Sequence, residues 1–122
     1  MRLLLVEDDP INVELFEAAL ETEGHQVVTE RDGLAGQERA SAESFDLILL
    51  DIQLPTRDGI EVCRELRRRG VRTPICALSA SVLPEQVART RDAGFDLFLS
   101  KPISPNDLRG AVRRMTAGDS RR

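Results

Sequence analysis

Five short apolar runs punctuate this chain, and four of them end on a charged or hydroxyl side chain. Leu3 to Val6 runs into Glu7 and Asp8, Leu47 to Leu50 into Asp51, Ile75 to Leu78 into Ser79, and Leu97 to Leu99 by way of Ser100 into Lys101. Only the run at Val27 and Val28 lacks such a terminus. Each run is followed by a stretch with helical spacing of its apolar residues. Strand followed by amphipathic helix, five times over, is the alternation of an α/β domain with a parallel sheet. Such a sheet offers a ligand crevice beyond the carboxyl ends of its strands, where the strand order reverses. Two acidic ends, one hydroxyl and one amine therefore converge.

The punctuation between the runs supports the same division. Asp9 and Pro10 read as N-cap and first helical residue, and Phe16, Ala19 and Leu20 follow at helical spacing before Gly24 stops the helix. The second strand centres on Val27 to Thr29, and Asp32 caps a helix containing Leu34, Ala35 and Ala40; this unit has the weakest pattern. Leu54, Pro55 and Gly59 mark a loop after the third strand, ahead of a helix from Ile60 to Arg69 that ends at Gly70. The fourth strand leads through Pro84 into a helix stopping near Gly94. The last helix opens on Ser104 as N-cap, Pro105 at N1 and Asp107 at N3, and turns Leu108, Ala111, Val112 and Met115 toward the sheet. Residues 1–116 are thus expected to form one domain, and 117–122, small, polar and charged, a frayed tail.

With 122 residues the chain buries one core without metal or disulfide staples. A net charge of -4 argues against a general nucleic-acid binder. Arg67, Arg68 and Arg69 at one helix end, and Arg113 and Arg114 late in another, read as solvated cations matched to the helix dipole. Cys63 and Cys76 have no metal-ligand spacing and are expected to be buried, reduced thiols. His25 reads as a surface residue. No apolar stretch nears the roughly 20 residues of a membrane span, and the N-terminus enters a core strand rather than a cleavable signal. The expectation is a cytoplasmic protein.

Right-handed crossovers with strand order 2-1-3-4-5 set the first and third strands side by side, so that Glu7, Asp8 and Asp51 share the crevice. Three carboxylates repel unless a cation intervenes, and Mg²⁺ held by one or two of them suits the site. A carboxylate beside Mg²⁺ can attack phosphorus to give an aspartyl phosphate. Phosphoryl transfer then asks for alignment and for charge stabilisation on the equatorial oxygens, which Lys101 and Ser79 can each supply. Of 17 basic residues Lys101 is the one lysine, which fits a site demanding a compact ammonium rather than a planar guanidinium.

Taken together, Leu4-Leu5-Val6-Glu7-Asp8-Asp9-Pro10, Leu49-Leu50-Asp51-Ile52-Gln53-Leu54-Pro55 with Gly59, Ser79-Ala80 and Ser100-Lys101-Pro102 closely resemble the signature of bacterial two-component response-regulator receiver domains. The resemblance extends to about Thr116. The stretches Asp51 to Pro55 and Ser100 to Ser104 look most like single-domain cell-division regulators and the receivers of hybrid histidine kinases. It implies a flavodoxin-like doubly wound fold and phosphorylation of Asp51 from a phosphohistidine on a sensor histidine kinase or histidine phosphotransfer protein. It also implies that Asp8 and Asp51 bind Mg²⁺ directly, with the Gln53 carbonyl as third protein ligand and Glu7 acting largely through water. Lys101 would contact the phosphoryl group, and the bond before Pro102 would be cis. Ser79 would move toward the phosphoryl oxygen on activation while Phe98 turns inward, a population shift in the face built from helix four, strand five and helix five. Gln53 and Ser81 sit where side chains tune the lifetime of the phosphorylated form. Glu7 departs from the commoner aspartate, and Phe98, lacking a hydroxyl, excludes a partner that reads a phenol there.

Rival chemistries fit less well. A flavin binder of the same fold needs a phosphate cradle after the first strand, where Glu7 and Asp8 would repel a phosphate lacking a metal. A haloacid-dehalogenase-like phosphatase requires a DxD motif there, which Glu7-Asp8-Asp9 is not, and no Walker A loop occurs. The remaining alternative is a degenerate receiver acting as a constitutive protein-binding module. The expectation is a single-domain signalling phosphoacceptor that catalyses its own phosphorylation and dephosphorylation. Its output is docking of a downstream protein target, and the same surface can serve as a homodimer face.

Overall fold

The computed structural model describes residues 1–120, with side chains as far as Thr116. Strands β1 (Arg2–Val6), β2 (Gln26–Glu30), β3 (Leu47–Asp51), β4 (Ile75–Ser79) and β5 (Leu97–Ser100) alternate with helices α1 (Pro10–Glu21), α2 (Gly33–Ala42), α3 (Gly59–Arg68), α4 (Pro84–Ala93) and α5 (Pro105–Ser120). The strands form one parallel sheet in the order 2-1-3-4-5, the doubly wound arrangement expected. Every residue of β3 and β4 is buried, because helices cover both faces of these central strands. Edge strand β2 is at best half-buried, which is why its apolar signal is short.

Alternation along the strands divides the core into two layers. Leu4, Val6, Ile48, Leu50 and Ala77 pack with Ile60, Cys63 and Leu66 of α3 on one face. Leu3, Leu5, Leu47, Leu49, Cys76 and Leu78 pack with Phe16 and Leu20 of α1 and Leu108 and Val112 of α5 on the other. Each fully buried leucine contributes about 1.5–3 kcal/mol relative to exposure. Cys63 and Cys76 are buried and unpaired, and burial pushes their thiols up to about 11 and about 12.

Side chains cap four helices, three of them at the expected residues and α3 at Asp58, which sequence reasoning did not single out. Asp9 accepts from Ile11 N at 2.9 Å, Asp32 from Ala35 N at 2.8 Å, Asp58 from Glu61 N at 3.0 Å and Ser104 from Asp107 N at 3.0 Å. Helix α3 begins one residue before the expected Ile60, since Asp58 supplies the cap, and Arg69 stands outside it as C-cap. The helical backbone of α5 reaches Ser120. The side chains of 117–120 and all of 121–122, where fraying was expected, lie outside the described residues.

Two surface expectations are corrected. Arg67 is no solvated cation: its guanidinium donates to the carbonyls of Gly94 (3.0 and 2.8 Å), Val71 (3.0 Å) and Thr73 (2.8 Å) and to Asp96 Oδ2 (2.9 Å). It thereby fastens α3 to the entry of β4 and the exit of α4. His25 is half-buried, with Nδ1 3.3 Å from the terminal amine, and burial lowers its pKa. No helix among the described residues is long and apolar enough to cross a membrane.

Candidate functional site

Strand register builds the site. Val6 pairs with Leu50, so Glu7 and Asp8, just beyond β1, stand beside Asp51 at the end of β3. Ser79 pairs with Ser100, and Lys101 N donates to the Ser79 carbonyl at 2.7 Å, which carries the lysine one residue beyond β5. Its side chain then reaches back across β4. The Lys101–Pro102 bond is cis, as the resemblance implied.

Lys101 Nζ donates to Asp51 Oδ2 at 2.7 Å and to Glu7 Oε1 at 2.8 Å. Glu7 Oε2 accepts from Asp9 N at 3.1 Å, and Asp51 Oδ1 from Gln53 N at 3.0 Å. Glu7 is fully buried and Asp51 4% exposed, whereas Asp8 is open to solvent. Carboxylate oxygens of Glu7, Asp8 and Asp51 lie within 4.8 Å of one another. The crevice is also lined by Asp9, Asn12, Gln53 and Ala80.

Electrostatics follow from this crowding. Burial raises the Glu7 pKa, the Lys101 hydrogen bond opposes this, and the Asp51 charge adds to the rise. Burial also penalises the Lys101 ammonium, but its bonds to Asp51 and Glu7 more than reverse that, so its pKa stands above the ordinary lysine value. Three carboxylates against one ammonium leave an excess of two negative charges. All donors are hard oxygens, and Asp8 has solvent access, so the set fits a hard divalent cation.

Of the remaining predicted residues, Gln53 lines the crevice, whereas Ser79, Ser81 and Phe98 are not drawn onto it. Ser79 is buried, its Oγ accepting from Ser81 N at 3.1 Å and donating to Ser81 O at 3.3 Å. Phe98 is half-buried against the α3 core layer, at the edge of a groove shared with Ser100, Asn106 and Arg114. Ser81 is half-buried and Gln53 exposed. Sequence reasoning overlooked Asn12, which lies three residues beyond the Asp9 cap, within one helical turn of it. It used Gly59 as a loop marker and as part of the resemblance, without a packing role, yet a Cβ there would lie 2.1 Å from the Asp51 carbonyl oxygen. Only glycine lets α3 start directly beneath β3.

The family model described as response regulator receiver domain matches residues 3–113. The response regulator protein PmrA of Pseudomonas aeruginosa is 37% identical over 116 residues, 95% of this chain and 52% of that protein. The sensor histidine kinase AruS of the same species is 39% identical over 116 residues, 92% of this chain but 12% of the kinase. The chain spans about half the length or less of such curated relatives. Among solved structures, the receiver domain of a P. aeruginosa sensor histidine kinase superposes with a TM-score of 0.87 at 35% identity. That match covers 95% of this chain and 97% of the other, which was crystallised with a magnesium ion coordinated in its active-site cleft.

Proposed function

Because this chain belongs to the response regulator receiver domain family, we propose that it accepts a phosphoryl group on Asp51 from a phosphohistidine and thereby switches a protein-docking surface. The observation that carries this reading is the pair of short bonds from Lys101 Nζ to Asp51 and Glu7, which sets an ammonium beside the acceptor carboxylate. An oxygen of Asp51 attacks phosphorus, the P–N bond of the phosphohistidine breaks, and the imidazole nitrogen leaves with the electron pair and takes up a proton. Lys101 then pairs with an equatorial oxygen of the transferred group. Asp8, Asp51 and the Gln53 carbonyl would hold Mg²⁺, with Glu7 contributing largely through water. When bound, the ion neutralises the carboxylates and polarises the phosphoryl oxygens.

Ser79 leaves its bonds to Ser81 for a phosphoryl oxygen, and Phe98 turns inward from its half-buried position, repacking α4, β5 and α5. Gln53 and Ser81 set the rate at which water removes the phosphoryl group, so that the domain catalyses both its phosphorylation and its dephosphorylation. A sensor histidine kinase or histidine phosphotransfer protein supplies the phosphohistidine. Acting as a single-domain regulator, the chain answers by docking a downstream protein, or a second copy of itself, through the α4–β5–α5 face.

The test is phosphorylation by acetyl phosphate with and without Mg²⁺, read by intact mass for wild type and Asp51→Asn. A Mg²⁺-dependent gain of one phosphoryl group that disappears in Asp51→Asn is expected. No gain in wild type with Mg²⁺ bound would favour a constitutive binding module.

A further inference from the structure

Resting on the phosphoacceptor reading of Asp51, we infer that the Asp32–Thr56 hydrogen bond is a latch by which the start of α2 positions the loop behind Asp51. The loop of residues 52–58 carries Gln53, whose carbonyl faces the metal in the proposed chemistry. Among the described residues, every hydrogen bond that 53–57 make outside 51–59 runs to Asp32, Gly33 or Leu34. Thr56 Oγ1 donates to Asp32 Oδ1 at 2.9 Å and accepts from Leu34 N at 3.0 Å. Gly33 N donates to the Pro55 carbonyl at 3.0 Å.

Backbone conformation makes the dependence specific. Thr56 has φ of 66°, in the left-handed region that a β-branched residue rarely enters. A residue stays there only where its surroundings over-determine it. Here the surroundings are the α2 start: a Cβ at Gly33 would lie 1.8 Å from the Arg57 carbonyl oxygen, so loop and helix meet without room for a side chain. Asp32 Oδ1 also accepts from Ala35 N at 2.8 Å, so one oxygen both caps α2 and holds the Thr56 hydroxyl. Leu34 N is a first-turn amide with no partner inside its own helix, and the loop supplies that partner. Without the latch Thr56 relaxes toward negative φ and Gln53, three residues away, moves with it. Asp32 and Thr56 touch neither substrate nor metal; they are positioning residues.

The test uses the full chain. Thr56→Val keeps the side-chain shape and removes the hydroxyl, Thr56→Ser keeps the hydroxyl, and Asp32→Ser keeps a helix cap but withdraws the oxygen from Thr56. Mg²⁺ affinity is read by isothermal titration calorimetry and folding by far-ultraviolet circular dichroism. Thr56→Val and Asp32→Ser should each bind Mg²⁺ about tenfold more weakly than wild type, as supporting residues around metal ligands commonly do when lost. Thr56→Ser should bind within about twofold of wild type, since it keeps the outer hydrogen bond. Wild-type Mg²⁺ affinity in either weakening variant, once shown to be folded, overturns the latch, and so does a Thr56→Ser as weak as Thr56→Val. Acetyl phosphate separates the two levels: wild type that gains no phosphoryl group overturns the proposed function. Wild type that gains one, with Thr56→Val indistinguishable from it in Mg²⁺ affinity, overturns the latch alone.

Discussion

Lys101 Nζ stands 2.7 Å from Asp51 Oδ2 although 50 residues of chain separate them. The same ammonium reaches Glu7 at 2.8 Å, so the end of β5 is tied electrostatically to the ends of both β1 and β3. One side chain thus spans the crevice that the strand order opens.

Replacing that side chain should expose the dependence. Lys101→Met leaves Glu7 buried without its cation, and loss of one partner of a buried pair costs about 3–5 kcal/mol. Because the crevice opens to solvent beside Asp8, the low end, about 3 kcal/mol, is expected in urea denaturation followed by circular dichroism. Added Mg²⁺ should narrow the deficit, because the folded variant, with one cation fewer among its carboxylates, should bind the ion more tightly than wild type does. Lys101→Arg should recover part of the stability without restoring phosphorylation, since a planar fork does not replace a compact ammonium.

Gly59→Ala should disable the acceptor strand without touching a charged group. Its Cβ would sit 2.1 Å from the Asp51 carbonyl oxygen, and backbone, unlike a flexible side-chain tip, cannot step aside cheaply. A loss of about 2–4 kcal/mol, typical of steric overpacking at a fixed backbone, and strongly slowed phosphorylation by acetyl phosphate are expected.

Arg67→Ala removes a guanidinium that serves three carbonyls and the Asp96 carboxylate. A destabilisation of about 2–4 kcal/mol follows from leaving these acceptors unpaired. Arg67→Lys should recover less than half of it in the same urea titration, because a point charge cannot address separated carbonyls.

Glu65 reports on pH. Hydrogen bonds from Arg68 and then Arg69 hold its carboxyl down at about 2, against an ordinary 4.5. A folded-state pKa below the unfolded one contributes stability that is present above pH 4.5 and is lost as pH falls toward 2. Glu65→Gln should flatten that part of the acid-denaturation curve, and the difference from wild type should shrink in high salt.

The sheet was legible because β1, β3 and β4 are buried on both faces and so print unbroken apolar runs. Edge strand β2, half-buried, printed only Val27 and Val28 clearly. The charged site was legible for a related reason: parallel strands end on one side, so residues terminating separate runs meet. What escaped notice depends on contacts between segments with no periodic signal. Arg67 looks like any helix-terminal arginine until Gly94 and Thr73 are folded beside it. Thr56 and Asp32, 24 residues apart, carry no mark of their meeting. Asn12, in the opening turn of α1, reaches the crevice only once that helix is docked beside β1.

Helix α4 is held unequally at its two ends. At its exit, Gly94 adopts a left-handed cap whose carbonyl receives two bonds from Arg67. At its entry, Leu83 offers no side-chain cap, and Val82 and Leu83 stand 60% and 57% exposed. The helix is therefore a lever clamped at its far end: its opening turn frays first, and its entry amides trade hydrogen for deuterium sooner than those beside Gly94. In the proposed switch, motion beginning at Ser79 and Ser81 would meet the compliant end of α4, while the far end stays tied to α3 through Arg67.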